Sequence, residues 1–295
     1  MRSAYIKMHT AIFLWGFTGL LGKFIQLNEG MLVWYRLLIS SIAIAAILLY
    51  RKSFPKLAFR EVLMISGIGI LVMLHWVTFY ASIKLASISV AMVCLSSIAL
   101  FASIIEPLVN RKKFDYMEIV FSAVAMMGIY TIYAADSGAS LGIVLGVISA
   151  LLSAIFSVFN KRIASKYETL TISFIELTSG VIFLTLLFPI YFKIQPTTKF
   201  IPGLADSIYL VILSLVCTVL TWILSLQALR KVSAYTMGLA LNLEPVYGII
   251  LAILFAGEGK IMNTGFITGA IVILCTVTIH TFYNFYKQRK ARYVK

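Results

Sequence analysis

The sequence predicts an all-α integral membrane protein of ten transmembrane helices, arranged as two inverted five-helix repeats. Three observations predict this: the composition, the spacing of ten apolar runs, and the alternation of positive charge along the chain. Of 295 residues, 61% are hydrophobic and 12% are charged, whereas soluble domains carry roughly a quarter charged residues and under half apolar ones. The mean hydropathy of +0.99 agrees. A span takes about 20 apolar residues, so ten of them use about 200 positions and leave only short connections. These figures exclude a soluble enzyme, a disordered chain and a nucleic-acid binder. The net charge of +14 is spread between apolar runs and forms no patch.

The first run, 8–25, follows Arg2 and Lys7 and has no small-residue cleavage site before a soluble domain, so it reads as a span and not a removable signal. The second, 31–50, closes at Arg51–Lys52, with the breaker Pro55 in the connection. The third, 62–83, ends at Lys84, and the fourth, 89–109, at Arg111–Lys112–Lys113. The fifth, 116–135, stops before Gly138. The sixth, 141–160, ends at Lys161–Arg162, and the seventh, 169–192, at Lys193. The connection from Lys193 to Asp206 holds Pro196, Pro202 and Gly203 and is plain loop. The eighth, 207–228, ends at Arg230–Lys231, the ninth, 235–256, at Gly257–Glu258, and the tenth, 263–284, before a basic tail. Cys94, Cys217 and Cys275 all lie inside apolar runs without a CxxC pair, so neither a disulfide framework nor a zinc site is expected.

Lysine and arginine set the orientation. Nineteen of the 25 gather at alternate ends of the runs, in the groups around Arg2, Arg51, Arg111, Lys161, Arg230 and Lys287. Only Lys84, Lys193, Lys199 and Lys260 lie on the other side, with Lys23 and Arg36 within or beside spans. Both termini are therefore expected in the cytoplasm, in the cytoplasmic (inner) membrane of the cell. Contact of the basic side with anionic lipid accounts for the high pI without another partner.

A shift of 147 residues lays spans four and five on nine and ten, with Ala81–Ser82–Ile83–Lys84 on Ala228–Leu229–Arg230–Lys231. The charge bias swaps sides: Lys84 faces Arg230–Lys231, and Arg111–Lys112–Lys113 faces Glu258–Gly259–Lys260. Five spans per half is an odd number, so the second half enters the membrane inverted, a device of secondary transporters. The halves divide at 1–135 and 136–295.

The stretch Ala240–Leu241–Asn242–Leu243–Glu244–Pro245–Val246–Tyr247, followed by Leu254–Phe255–Ala256–Gly257–Glu258, resembles the second-repeat signature of the EamA family. That family lies within the drug/metabolite transporter superfamily. Trp15–Gly16 and Trp34–Tyr35–Arg36 are similar to its first repeat. The first half departs from the pattern, with Ser97–Ile98 and Asn110–Arg111 where the second has Glu-Pro and Gly-Glu; Glu106–Pro107 stands nine residues beyond Ser97. The resemblance implies a ten-helix carrier in which helices one to four and six to nine enclose the path and helices five and ten buttress it. Its members mostly export amino acids and other small metabolites.

Ionisable groups in hydrocarbon cost about 2.5–3.5 kcal/mol on insertion scales and normally face a cavity or a partner. Four stand out. Glu244, eight residues into span nine beside the helix-bending Pro245, is either a substrate-ammonium partner or protonatable coupling site, or a carboxylate that caps loosened backbone. Glu176 and Glu106, toward the cytoplasmic ends of spans seven and four, are with Arg36 and Pro245 the coupling or gating candidates; for both carboxylates a salt bridge is expected over substrate contact, with Lys161, Arg162 and Arg111 at hand. Arg36 either attracts a carboxylate or snorkels to the headgroups; snorkelling is the plainer reading. His75, Trp76 and Tyr80 group in the outer half of span three, and the 147-residue shift sets His75 on Trp222. They form an aromatic box or an interfacial belt. Asn242, Ser96 and Ser97 offer neutral hydrogen bonds or interhelical glue. The resemblance adds Trp15 to the path.

No GxSxG, HExxH or phosphate-binding GxxxxGK[ST] pattern and no filter element occurs. An intramembrane enzyme and a channel are the alternatives. The expected function is a secondary carrier of small organic metabolites, amino-acid-like or amphipathic, exporting by alternating access. It needs no cofactor or metal, its partners are membrane lipid and a small-molecule substrate, and protons are a candidate coupling ion.

Overall fold

The computed structural model describes residues 2–54, 56–111, 116–135, 140–164, 166–229, 240–260 and 263–293. The fold is all-α. In chain order the helices are α1 (Arg2–Phe24), α2 (Glu29–Tyr50), α3 (Phe59–Leu85), α4 (Ile88–Ser96), α5 (Ile98–Asn110) and α6 (Tyr116–Ala135). Then come α7 (Ser140–Ile163), α8 (Thr169–Ile194), α9 (Leu204–Val211), a π-helical segment (Ile212–Leu220) and α10 (Thr221–Leu229). α11 (Leu243–Ala256), a 3₁₀ turn (Glu258–Lys260) and α12 (Thr264–Tyr293) complete it.

Among the described residues six helices are long and apolar enough to cross a membrane: α2, α3, α7, α8, Leu204–Ser225 and Thr264–Tyr283. The bent pair formed by α4 and α5 is long and apolar enough to count as a seventh when its two pieces are taken as one span. Ile119–Ala135 and Leu243–Ala256 are shorter apolar helices. The chain is therefore an integral membrane protein. Every backbone donor in hydrocarbon needs a partner, and helices supply it internally. Where helices begin, side chains take over. Asn28 Oδ1 accepts from Met31 N at 2.8 Å, Ser87 Oγ from Val90 N at 3.1 Å and Asn263 Oδ1 from Phe266 N at 2.7 Å.

Two expected rods differ. Run 89–109 breaks at Ser97, and the two pieces meet at 42°. Ser96 Oγ donates to Val93 O and Ser97 Oγ to Cys94 O, both at 2.6 Å. Such hydroxyl bonds compete with the helical ladder. Run 235–256 falls partly outside the described residues; Ala240 and Leu241 are helical, a turn at Asn242 interrupts them, and α11 runs from Leu243. Pro245 therefore sits in a first turn, where a missing N–H leaves no bond unmade. It does not bend a continuous helix.

α3 is the hub, packed on α7, α8 and α2, while α1 lies against α11 and α10. One apolar core joins these helices through Leu32, Leu37, Met73, Tyr80 and Met92. A second core joins α4, α6 and α12 through Val93, Ile129 and Ile273, and α6 and α12 pack directly on each other.

Polar ties concentrate at the two ends of the bundle. At one end Lys84 Nζ donates to the carbonyls of Ile25 and Leu27, Gln26 N to Asp206 Oδ1 at 2.8 Å, and Lys199 pairs with Asp206 at 2.8 Å. There, too, Glu258 accepts from Ile88 N and Ser89 N, both at 2.8 Å, and is 3% exposed. At the opposite end Tyr167 OH donates to Glu61 Oε1 at 2.6 Å and Lys7 Nζ to Gln227 Oε1 at 2.7 Å.

Candidate functional site

A cavity of about 410 Å³ lies among α1, α2, α3, α4, α7, the π segment with α10, and α11. Sites for small molecules span about 300–1,000 Å³. Its polar groups are few and its walls aromatic.

Arg36 in α2 is 4% exposed and not at a headgroup surface. Its Nε donates to Thr218 Oγ1 at 3.0 Å and its Nη1 to Tyr80 OH at 2.8 Å. The guanidinium carbon stands 3.7 Å from the centroid of the Trp76 ring, and a desolvated cation–π contact contributes about 2 kcal/mol. The snorkelling expectation is thus corrected: the side chain turns inward because an aromatic face, a phenol and a hydroxyl replace its water. Thr218 meets it from the π segment, where Thr218 Oγ1 itself donates to Leu213 O at 2.9 Å. Wide π turns often mark functional sites. Among the described residues no carboxylate pairs with Arg36.

Glu244 enters from the first turn of α11 and is half-buried on the cavity. The unpaired N–H groups of a helix start favour a negative charge there. Among the described residues it forms no salt bridge and accepts from no side-chain donor, and Arg36 is the cation that acts on it across the cavity. Asn242, two residues earlier, donates from Nδ2 to Thr281 Oγ1 at 2.8 Å, which ties this helix start to α12.

His75 lines the cavity with its ring fixed. Nδ1 lies 2.9 Å from Ser149 O and 2.8 Å from Ser149 Oγ, and that hydroxyl also stands 3.0 Å from His75 O, so one residue of α7 fixes the ring. Phe79 and Phe156 flank the ring at 6.2 and 5.5 Å.

Of the expected residues, Trp15, Arg36, His75, Trp76, Trp222, Asn242, Glu244 and Pro245 come together on this cavity. Four do not line it. Tyr80 is fully buried behind Arg36, in a slot left by Gly22, where a Cβ would strike its ring. Ser97 is spent at the helix break. Glu106 pairs with Lys161 at 3.0 Å, with that lysine mostly exposed. Glu176 is buried on α8 at 1% exposure and forms no salt bridge among the described residues; its hydrogen-bonding neighbour is Asn160. Burial keeps it beyond the reach of the exposed Lys161 and Arg162, which corrects the ion-pair expectation.

Sequence reasoning passed over Ser153, Phe156 and Ser157 of α7, which line the cavity. A signal was present: Ser149, Ser153 and Ser157 recur every four residues, a polar line along an otherwise apolar helix. Thr218 carried none, because its aim depends on the π register.

A bundle of apolar helices around a cavity that Arg36 and Glu244 both line defines a multi-spanning membrane protein. The chain belongs to the EamA-like transporter family, within the drug/metabolite transporter superfamily, matching it over residues 2–134 and again over 140–282. No curated protein sequence matches it. Among solved structures, the crystal structure of another protein superposes with a TM-score of 0.63 at 16% identity, over 96% of this chain and 98% of that one. That likeness concerns the fold.

Proposed function

We propose that this protein is a secondary carrier that exports small organic solutes, amino-acid-like or amphipathic, by alternating access. One observation carries the reading: Arg36 and Glu244 face a single cavity, neither in a salt bridge among the described residues, between aromatic walls. A solute with a carboxylate, an ammonium group and an apolar body satisfies all three features, since buried charge is tolerable only when paired.

Ten spans in two inverted halves underlie the mechanism. The family match recurs once in each half. The helix breaks at Ser97 and Asn242 and the left-handed helix ends at Arg111 (φ 51°) and Gly257 (φ 69°) stand at nearly equal offsets, as duplicated halves require. The pairing of α6 with α12 suits a buttress beside the path. Both termini lie in the cytoplasm and the Lys84–Glu258 end faces outward, which follows the positive-inside bias.

Counterflow of radiolabelled amino acids into proteoliposomes tests this reading, with untargeted metabolite profiling of medium and cells to widen the panel. Glu244→Gln and Trp222→Ala, inserted normally, are expected to lower exchange at least tenfold. Full activity in both overturns the site.

A further inference from the structure

Glu176 has no role in the cavity, yet it is the more deeply buried carboxyl group. It lies on α8 at 1% exposure, against α3, whose Gly69 is so close that a Cβ would collide with the backbone of Glu176. Oε1 has no hydrogen-bond partner. Asn160 on α7, the side chain that bonds the carboxyl group, has a bare Oδ1, and Ser173 one turn earlier on α8 has a bare Oγ. Three buried oxygens without partners therefore lie on α7 and α8, both of which pack on α3.

No charge opposes an ionised carboxylate there. On α3, Arg60 is exposed, Glu61 is held by Tyr167, His75 by Ser149, and Lys84 by carbonyls at the far end. On α7, Lys161 pairs with Glu106 and Arg162 is exposed. On α2, Glu29 is bound by Tyr191 and Arg36 by Tyr80 and Thr218. Glu168 and Lys166, before α8, are exposed, and Lys193 lies in its last turn. An anion would thus face lone pairs in a medium of low polarity, the costly case for a buried charge. A neutral acid removes the conflict, because its O–H supplies the missing donor.

We propose that Glu176 is a proton-binding site separate from the solute cavity, holding its proton in the conformation seen here. Protonation forms one O–H bond on the carboxylate and breaks one O–H bond of hydronium, which leaves as water. Asn160 lies one turn beyond Phe156 and Ser157, which line the cavity on α7, and α3 contributes His75, Trp76 and Phe79. Loss of the proton puts a bare charge between these helices and favours a conformation in which water reaches it, so the proton and the cavity walls move together. The proton site stands without the carrier reading; only its use in transport rests on it.

Infrared difference spectroscopy of the full chain in lipid vesicles, without solute, tests the site. The wild type at neutral pH is expected to show the carbonyl band of a protonated carboxyl group. Glu176→Gln loses that band and Glu106→Gln keeps it. Asn160→Ala moves the band to higher frequency by weakening its hydrogen bond. Three of the four tryptophans line the cavity, so tryptophan emission is expected to change on raising the pH, in step with loss of the band, and to stay flat in Glu176→Gln. A band unchanged in Glu176→Gln overturns the proposal. Should that variant misfold, a band unmoved in Asn160→Ala overturns it equally. Failed counterflow with the band assignment intact rejects the carrier and leaves the proton site.

Discussion

Tyr80 and Arg36 illustrate how a residue acquires its role from partners distant in the chain. Tyr80 does not touch the cavity; it holds the guanidinium that does, through a 2.8 Å bond. Tyr80→Phe is expected to lower the thermal unfolding midpoint, because a hydrogen bond to a charged group contributes about 1.5–3 kcal/mol. In counterflow the same variant raises the half-saturating solute concentration about tenfold or more while the maximal rate changes less, since the cation loses its aim and keeps its charge. That His75, Trp76, Trp222 and Glu244 share one cavity was legible in the sequence, because the repeat shift sets them on corresponding spans. Burial of Arg36 was not, because it depends on a phenol 44 residues away and a threonine 182 residues away. Nor was the solitude of Glu176, since Lys161 stands near it in the chain but spends its charge on Glu106.

The apolar runs translate into helices throughout the described residues, because backbone satisfaction in hydrocarbon permits little else. What the runs conceal is where a helix is interrupted without a change in polarity. Ser97 and Asn242 sit inside hydrophobic stretches, and the interruptions arise from side-chain oxygens and a turn, which composition does not register. The location of Pro245 leads to a distinct expectation. In the first turn of α11 it makes no interior kink, so Pro245→Ala changes stability by less than about 1 kcal/mol. A proline in a helix interior costs about 3 kcal/mol relative to alanine, and its removal would stabilise by a comparable amount. Chemical unfolding in detergent separates the two outcomes.

Across the whole molecule, the sequence speaks through charge and repetition. Nineteen basic residues at one set of ends against four at the other predict the sidedness of the bundle. Single cysteines at Ser3 and Ala291 are expected to resist a membrane-impermeant thiol reagent in intact cells, and one at Ser207 to react with it. Labelling of only one tail rejects an even number of spans. The inner packing lay beyond that reading, because apolar side chains satisfy the membrane equally well in many arrangements, whereas a cavity requires polar groups converging from distant helices.

Glu258 gives the bundle a seam that parts abruptly. Its carboxylate, carried by the loop after α11, grips the first two amides of α4 at once. Drawing these elements apart by even one ångström strands an anion and two backbone donors together, and nothing is recovered until water floods the gap. Such a joint resists gradual loosening: it holds while both bonds stand and gives way when both break, so Glu258→Gln is expected to weaken this end of the bundle as a unit.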